Sequence, residues 1–507
     1  MPNPLYDSLF GIHAGKTTPF LHLQDGSVIS HSDFLEKAAR LAHVLTEIGL
    51  EPGDRLAAQL QKSPEALALY AACVQAGVIF LPLNTAYTAD EVTYFIENSG
   101  ARCVVCDDKS ADDLKPIADR LGARLETMNA DGGGSLTDQA ASMPASFDTV
   151  SRASDDLAAF LYTSGTTGRS KGAMLTQDNL LSNALTLGDF WKFTSDDVLL
   201  HALPIFHTHG LFVATNVILA TGGSMIFLPK FDLDAMIDLM PKATTMMGVP
   251  TFYTRLLDDA RFTKDLTAHM RLFVSGSAPL LAETHVQFEK RTGHRILERY
   301  GMTETNMNTS NPYDGDRRAG TVGFPLPGVE LKITDPATGK TLPHGDVGQI
   351  EVRGPNVFKG YWQMPEKTAA ELREDGFFIT GDLGKLDDDG YVHIVGRNKD
   401  LIISGGYNIY PKEIELVLDE QPGVLESAVI GVPHADFGET VLGLIVPEHG
   451  ASLDLEAIGE ACKASLARFK HPRKLIEVED LPRNTMGKVQ KNVLRDTYRD
   501  VFLPVDT

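Results

Sequence analysis

The sequence predicts an α/β protein: a large N-terminal part with two α/β sheets and a small β-rich portion, followed by a small α+β C-terminal domain. Three observations carry this. The chain has 507 residues, more than one hydrophobic core organises. Helix and strand signals alternate over roughly the first 400 residues, the pattern of parallel sheets covered by helices. Near residue 330 the pattern changes to short strands and turns, and a segment of about 100 residues with its own strands and helices closes the chain.

The elements follow in order. Ser63-Pro64 reads as an N-cap and first helical residue, EALALYAACVQA as the helix and Gly77 as its stop. VIFLPLN is a buried strand. Thr88 and Glu91 make a capping box for the next helix, which Gly100 closes before the strand RCVVC. GGG at 132–134 is a surface loop. VELKITDPATGKTLPHGDVGQIEVRG gives the β-rich portion. In the last segment IEVED and VLGLIVPE read as strands and LEAIGEACKASLARF as a helix. The domains are placed at 1–396 and 401–507, with a connection at 397–400.

Composition narrows the class. Apolar content of 43% and charged content of 22% are those of a soluble globular protein. No run of about 18 apolar residues exists, so no transmembrane helix and no membrane partner are expected. The start MPNPLYDSLFGIHAGK lacks a basic stretch followed by an apolar one, so a cytoplasmic location is expected. Cys103 and Cys106 form a lone CVVC without a second pair or nearby histidines, which reads as core and not as a metal or redox site. The formal net charge of −22 argues against nucleic acid, since no broad basic stripe can neutralise phosphates. Any anion must be held by a local concentration of Lys, Arg and backbone N–H groups.

LYTSGTTGRSKGAML offers such a concentration. It joins the strand LAAFLY to GAML, is rich in Gly, Ser and Thr, and carries Arg169 and Lys171. Glycines let successive N–H groups point inward, hydroxyls add donors and a lysine adds a point charge, together a phosphate cradle. The order Gly168-Arg169-Ser170-Lys171-Gly172 does not fit the P-loop G-x-x-x-x-G-K-[ST]. The cradle is of another type.

YTSGTTGRSKGA resembles the phosphate-loop signature of the adenylate-forming acyl-CoA synthetases. Further motifs follow in the family's order: YGMTET at 300–305, TGD at 380–382, GRNKDLI, and PRNTMGKVQK at 482–491. The resemblance spans nearly the whole chain. It implies an acid–thiol ligase that uses ATP, Mg2+ and coenzyme A and forms an acyl-adenylate. It also implies a mobile C-terminal domain. Thr163, Ser164, Gly165, Thr166, Thr167, Gly168 and Lys171 would hold the β- and γ-phosphates. Tyr300 would pack on adenine opposite the Gly276-Ser277-Ala278 turn, with Gly301, Met302 and Thr303 completing that strand end. Glu304 would bind Mg2+. Asp382 would accept hydrogen bonds from the ribose, and Arg397 would reach the ribose or phosphates. Lys488 matches the catalytic lysine, whose ammonium stabilises charge at the α-phosphate; Lys491 is its competitor. Lys399 aligns with the hinge, and SGGYN at 404–408 could line the thiol path. Acetylation of Lys488 would remove the needed charge, so an acetyltransferase and a deacetylase are implied partners.

The carboxylate substrate is read from departures. His207 in PIFHTHG matches a position bordering the acyl pocket; His201, His207 and His209 lack the carboxylate partner a zinc site would need. Arg299 stands where many family members carry a neutral residue. A cation beside the acyl chain suits a second carboxylate and is costly for a fatty acid. The alternative is an ion pair with Glu298 or another acid. Arg255 in VPTFYTRLL is a second candidate that by spacing could equally be an exposed helix residue. A short dicarboxylate is therefore expected, malonate being the simplest, with methylmalonate a secondary substrate. The competing readings are a medium- or long-chain fatty acyl-CoA synthetase, an adenylation domain loading a separate carrier, and a non-catalytic nucleotide-binding regulator. Lys470, Arg473 and Lys474 are candidates for the coenzyme A 3′-phosphate, or else a solvated face.

Overall fold

The computed structural model describes residues 2–163, 170–404, 407–434, 437–484 and 487–502. The chain divides into two units, residues up to Glu330 with Val352–Phe378, and Leu331–Glu351 with residues from Ile379 on.

The first unit holds two sheets. In the six-stranded one the order is Arg124–Thr127, Cys103–Cys106, Arg55–Gln59, Ile79–Pro82, Leu157–Thr163, Lys171–Thr176. Neighbours run parallel up to the last pair, which is antiparallel and sets Thr163 opposite Lys171. The strand Cys103–Cys106 is buried at every position. Both thiols are free, and burial pushes each up to about 12, far from a reactive value. The helix Pro64–Ala76 is capped by the Ser63 side chain and ends on left-handed Gly77. The helix Ala89–Ser99 carries the Thr88–Glu91 capping box and stops on Gly100. It packs Phe95 and Ile96 onto Leu81, Val104 and Phe160 of the sheet.

The nine-stranded sheet is ordered Phe324–Pro325, Asn306–Ser310, Leu297–Met302, Leu272–Ser275, Thr245–Gly248, Val198–His201, Ser224–Phe227, Pro19–His22, Val28–Ser30. From Leu297–Met302 through Pro19–His22 the strands are parallel. In open parallel sheets ligands bind outside the carboxyl ends of the strands. Here those ends lead into PIFHTHG, Gly276-Ser277-Ala278 and YGMTET.

A four-stranded sheet, Glu330–Thr334, Gly348–Arg353, Phe378–Leu386, Val392–Arg397, lies mostly in the second unit, which also holds a five-stranded sheet built on Val424–His434 and Gly438–Pro447. The helices Pro411–Asp419 and Leu455–Ser465 close a core of Ile414, Leu418, Val429, Val441, Ile445 and Ile458. Among the described residues no helix is long and apolar enough to cross a membrane.

Candidate active site

The strand Val198–His201 leads into PIFHTHG, which turns back sharply enough that a Cβ on Gly210 would lie 2.0 Å from the Pro204 carbonyl oxygen. Only glycine fits there. A π-helical turn, His209–Thr215, follows. Buried His201 staples the loop. Its Nε2 lies 2.9 Å from the Gly210 carbonyl oxygen and its Nδ1 2.9 Å from Lys62 Nζ. With the proton on Nε2, that nitrogen donates to Gly210 and Nδ1 accepts from Lys62. Lys62 Nζ also donates to the His201 carbonyl at 2.8 Å and sits 4.3 Å over the Phe227 ring. Burial lowers the pKa of both groups, well below the ordinary values.

Beyond the staple, half-buried His207 accepts a long hydrogen bond at Nδ1 from the His209 backbone N–H, 3.4 Å. His209 is buried, and its Nδ1 lies 3.1 Å from Ser277 Oγ. Its Nε2 has no hydrogen-bond partner among the described residues. Burial first, then the neighbouring Arg299 charge, hold His209 well below the usual histidine range.

Arg299 itself is 4% exposed, on the strand Leu297–Met302. Its Nε and Nη2 have no hydrogen-bond partner among the described residues. The guanidinium lies so close to the Gly276 backbone that a Cβ there would be 2.3 Å from Arg299 Cζ. Ser277, the next residue, has φ +72°, a left-handed conformation that is strained for a non-glycine residue. Glu298 points elsewhere, with its Oε1 3.5 Å from buried His285 Nδ1. An ion pair between Arg299 and Glu298 is therefore not what the structure shows. Arg255 lies exposed on the helix Pro250–Leu257, its guanidinium 5.7 Å from the Phe231 ring centre.

The residues expected on the nucleotide side of this unit sit at adjacent strand ends. Tyr300, Gly301, Met302 and Thr303 are half-buried, with a bulge between Tyr300 and Gly301 that redirects the strand. Glu304 is 5% exposed and accepts from Tyr361 Oη at 3.0 Å. Tyr361 Oη is also 2.7 Å from Glu371 Oε2. Lys171 Nζ lies 3.6 Å from the same Glu371 oxygen and 4.2 Å over the Tyr361 ring. The side-chain oxygen of Thr163, the partner of Lys171 across the hairpin, is buried without a hydrogen bond among the described residues. Ser164, Gly165, Thr166, Thr167 and Gly168 lie outside the described residues. A buried carboxylate linked through Tyr361 to Lys171 fits Mg2+, which takes few protein ligands and completes its shell with phosphate and water oxygens.

In the second unit Asp382 and Arg397 face each other across paired strands, and Arg397 Nε donates to Asp382 Oδ1 at 2.7 Å. Lys399 is exposed in the short turn Asn398–Asp400. Lys488 is exposed at the end of a tight loop in which its N–H donates to Asn484 Oδ1 at 3.0 Å and its carbonyl accepts from Asn484 N at 2.9 Å. Its basic neighbours are committed elsewhere: Arg483 to Glu426, Lys491 to buried Glu415 and Arg495 to Asp400. Lys470 pairs with Glu413, and Arg473 lies 4.4 Å over the Phe437 ring.

Tyr361, Glu371 and Lys62 were not read from the sequence, nor was the placement of His209 against Ser277. Each is defined by a partner far away along the chain. The one local hint was a lysine, Lys62, beside a helix start that proved to be buried.

A nine-stranded, mostly parallel sheet with these strand-end loops, followed by a small α+β unit, defines an adenylate-forming enzyme. The AMP-binding enzyme family matches residues 13–362 and the AMP-binding enzyme C-terminal domain matches residues 413–488; the chain belongs to this family. It is similar to ATP-bound MatB from Rhodopseudomonas palustris, with 61% identity and a TM-score of 0.97, covering 99% of this chain and 100% of that one. It is 37% identical over 457 residues to a malonate–CoA ligase of Arabidopsis thaliana, 84% of this chain and 74% of the relative. A feruloyl-CoA synthase of an Amycolatopsis species is 34% identical over 477 residues, 93% of this chain and 94% of the relative.

Proposed function

We propose that the protein is an ATP-dependent malonate–CoA ligase. A malonate carboxylate oxygen attacks the α-phosphorus of ATP, the bond to diphosphate breaks, and malonyl-AMP forms. The thiol of coenzyme A then attacks the acyl carbon and releases AMP. Curated relatives at similar identity carry the names of malonate and feruloyl enzymes; buried Arg299 is the observation that supports malonate. A guanidinium keeps its charge when buried, and a buried charge needs a hydrogen-bonded anion. The second carboxylate of malonate supplies it, reaching both Arg299 and His209 Nε2. Methylmalonate fits the same pair as a secondary substrate.

The remaining roles belong to this reading. Lys171, Thr163 and the loop between them hold the phosphates. Glu304 would hold Mg2+, whose charge offsets that of the phosphates and the leaving diphosphate. Tyr300 and the Gly276-Ser277-Ala278 turn take the adenine, and Asp382 and Arg397 the ribose side. Lys488 stabilises the charge built at the α-phosphate. The burial of Lys491 against Glu415 supports Lys488 over that competitor. Lys399 is the hinge, and the boundary at 397–400 goes with it. Acetylation of Lys488 switches the first step off, which calls for an acetyltransferase and a deacetylase. Four buried free thiols support a reducing, cytoplasmic compartment.

The test is diphosphate release with ATP and a panel of malonate, methylmalonate, butyrate, palmitate and ferulate, with and without coenzyme A. Malonate is expected to be fastest. Faster turnover of butyrate, palmitate or ferulate overturns the reading.

A further inference from the structure

Lys171, the expected phosphate lysine, is held by an acid that no phosphate-site motif contains. Glu371 closes the helix Pro365–Glu371, and its Oε2 lies 3.6 Å from Lys171 Nζ. That distance is an ion pair without a hydrogen bond, with Lys171 and Glu371 side chains 16% and 23% exposed. The Tyr361 ring, 4.2 Å below the ammonium, adds a cation–π contact.

The attachments of the two partners are unequal. Glu371 is fixed by groups other than Lys171: Lys367 Nζ lies 2.5 Å from its Oε1, one turn back along the same helix, and Tyr361 Oη 2.7 Å from its Oε2. If Lys171 leaves, Glu371 keeps an ion pair and a hydrogen bond. The Tyr361 hydroxyl carries one proton but touches two carboxylates, Glu371 Oε2 at 2.7 Å and Glu304 Oε1 at 3.0 Å. It can donate to only one at a time, and the ammonium beside Glu371 offsets the crowding of negative charge. The arrangement lets the lysine be drawn off by a stronger anion while the acid stays in place and accepts the hydrogen bond of the tyrosine hydroxyl, leaving the Glu304 oxygen to accept from something else.

We propose that Glu371 is an internal counter-anion that competes with the nucleotide phosphates for Lys171 and so sets the affinity for ATP, with Tyr361 linking the exchange to Glu304. This rests on the reading of Lys171 as the phosphate lysine. Glu371 acts through Lys171 and is a positioning residue.

Calorimetric titration of the full-length protein with ATP and Mg2+, without acid or coenzyme A, reads the exchange directly. Glu371→Gln keeps the shape and removes the competing charge, and is expected to tighten ATP binding about 3- to 10-fold. Lys171→Gln is expected to weaken it at least about tenfold. In the double variant the gain from Glu371→Gln should vanish, because the two residues act on one interaction. Unchanged or weaker ATP binding by Glu371→Gln, or the same gain with and without Lys171, overturns the proposal while leaving the role of Lys171 intact. If Lys171→Gln binds ATP like the parent, the reading of Lys171 fails and the proposal with it. Should Glu371→Gln fold poorly, Glu371→Ala and Glu371→Ser carry the same expectation and the same grounds for rejection.

Discussion

A guanidinium stays charged at any pH a protein meets, so Arg299, buried with two nitrogens unpartnered among the described residues, is a destabilising residue in the absence of an anion. Two opposite effects of one substitution follow. Arg299→Met keeps the volume and removes the charge, so the unliganded protein should melt at a higher temperature than the parent. The same variant should lose malonate, with kcat/KM falling about 10- to 150-fold, the worth of a charged hydrogen bond at roughly 1.5–3 kcal/mol, while ATP affinity holds. A lowered melting temperature with unaltered malonate kinetics would mean a structural arginine. The residue was legible because a charge stood where many family members carry a neutral residue. Arg255 was the weaker candidate, since by spacing it could equally be an exposed helix residue; the structure places it exposed, its guanidinium 5.7 Å from the Phe231 ring centre.

At the scale of elements the sequence was most informative where structure is local. The helix Pro64–Ala76 carries its own cap and stop within 15 residues, Ser63 to Gly77, and the hairpin of Leu157–Thr163 with Lys171–Thr176 is bracketed by its own loop. PIFHTHG showed only its histidines. What shapes the loop is His201 reaching Gly210, held by Lys62, which lies 139 residues from it along the chain. A pattern within one segment contains no trace of such a partner. The closeness of Gly210 to Pro204 makes the loop testable. Gly210→Ala puts a Cβ 2.0 Å from a backbone oxygen, so the loop must shift, at a cost of about 1–3 kcal/mol. Both a lower melting temperature and a raised KM for malonate are expected, since the shift moves His207 and His209. A variant that melts and binds malonate like the parent would show that the turn yields freely and that it does not place those histidines.

At the scale of the molecule, the chain must gather three anions, ATP, malonate and coenzyme A, despite a net charge of −22. On the proposed reading local cations would do this, Lys171 and Arg299 in the first unit, Arg397 and Lys488 in the second. Motif order along the sequence singled out Lys171, Arg397 and Lys488 as candidates, whereas Arg299 was singled out as a departure from the family's pattern. The exchange between Lys171 and Glu371 was not legible, since Glu371 belongs to an ordinary helix end. Lys488 belongs to the smaller unit, beyond a short turn at Asn398–Asp400, and on the proposed reading this would let the two half-reactions be separated. If Lys488 serves only attack on the α-phosphate, Lys488→Ala should slow malonate-dependent diphosphate release by on the order of 10²-fold or more. The same variant, supplied with malonyl-AMP and coenzyme A, should form malonyl-CoA at close to the parent rate, because the thiol attacks carbon and the α-phosphate already carries its leaving bond. Substitution of Lys491 should instead lower stability through buried Glu415. Equal loss of both half-reactions in Lys488→Ala would mean that one arrangement of the small unit serves both steps, and Lys399 would then have no hinge to provide.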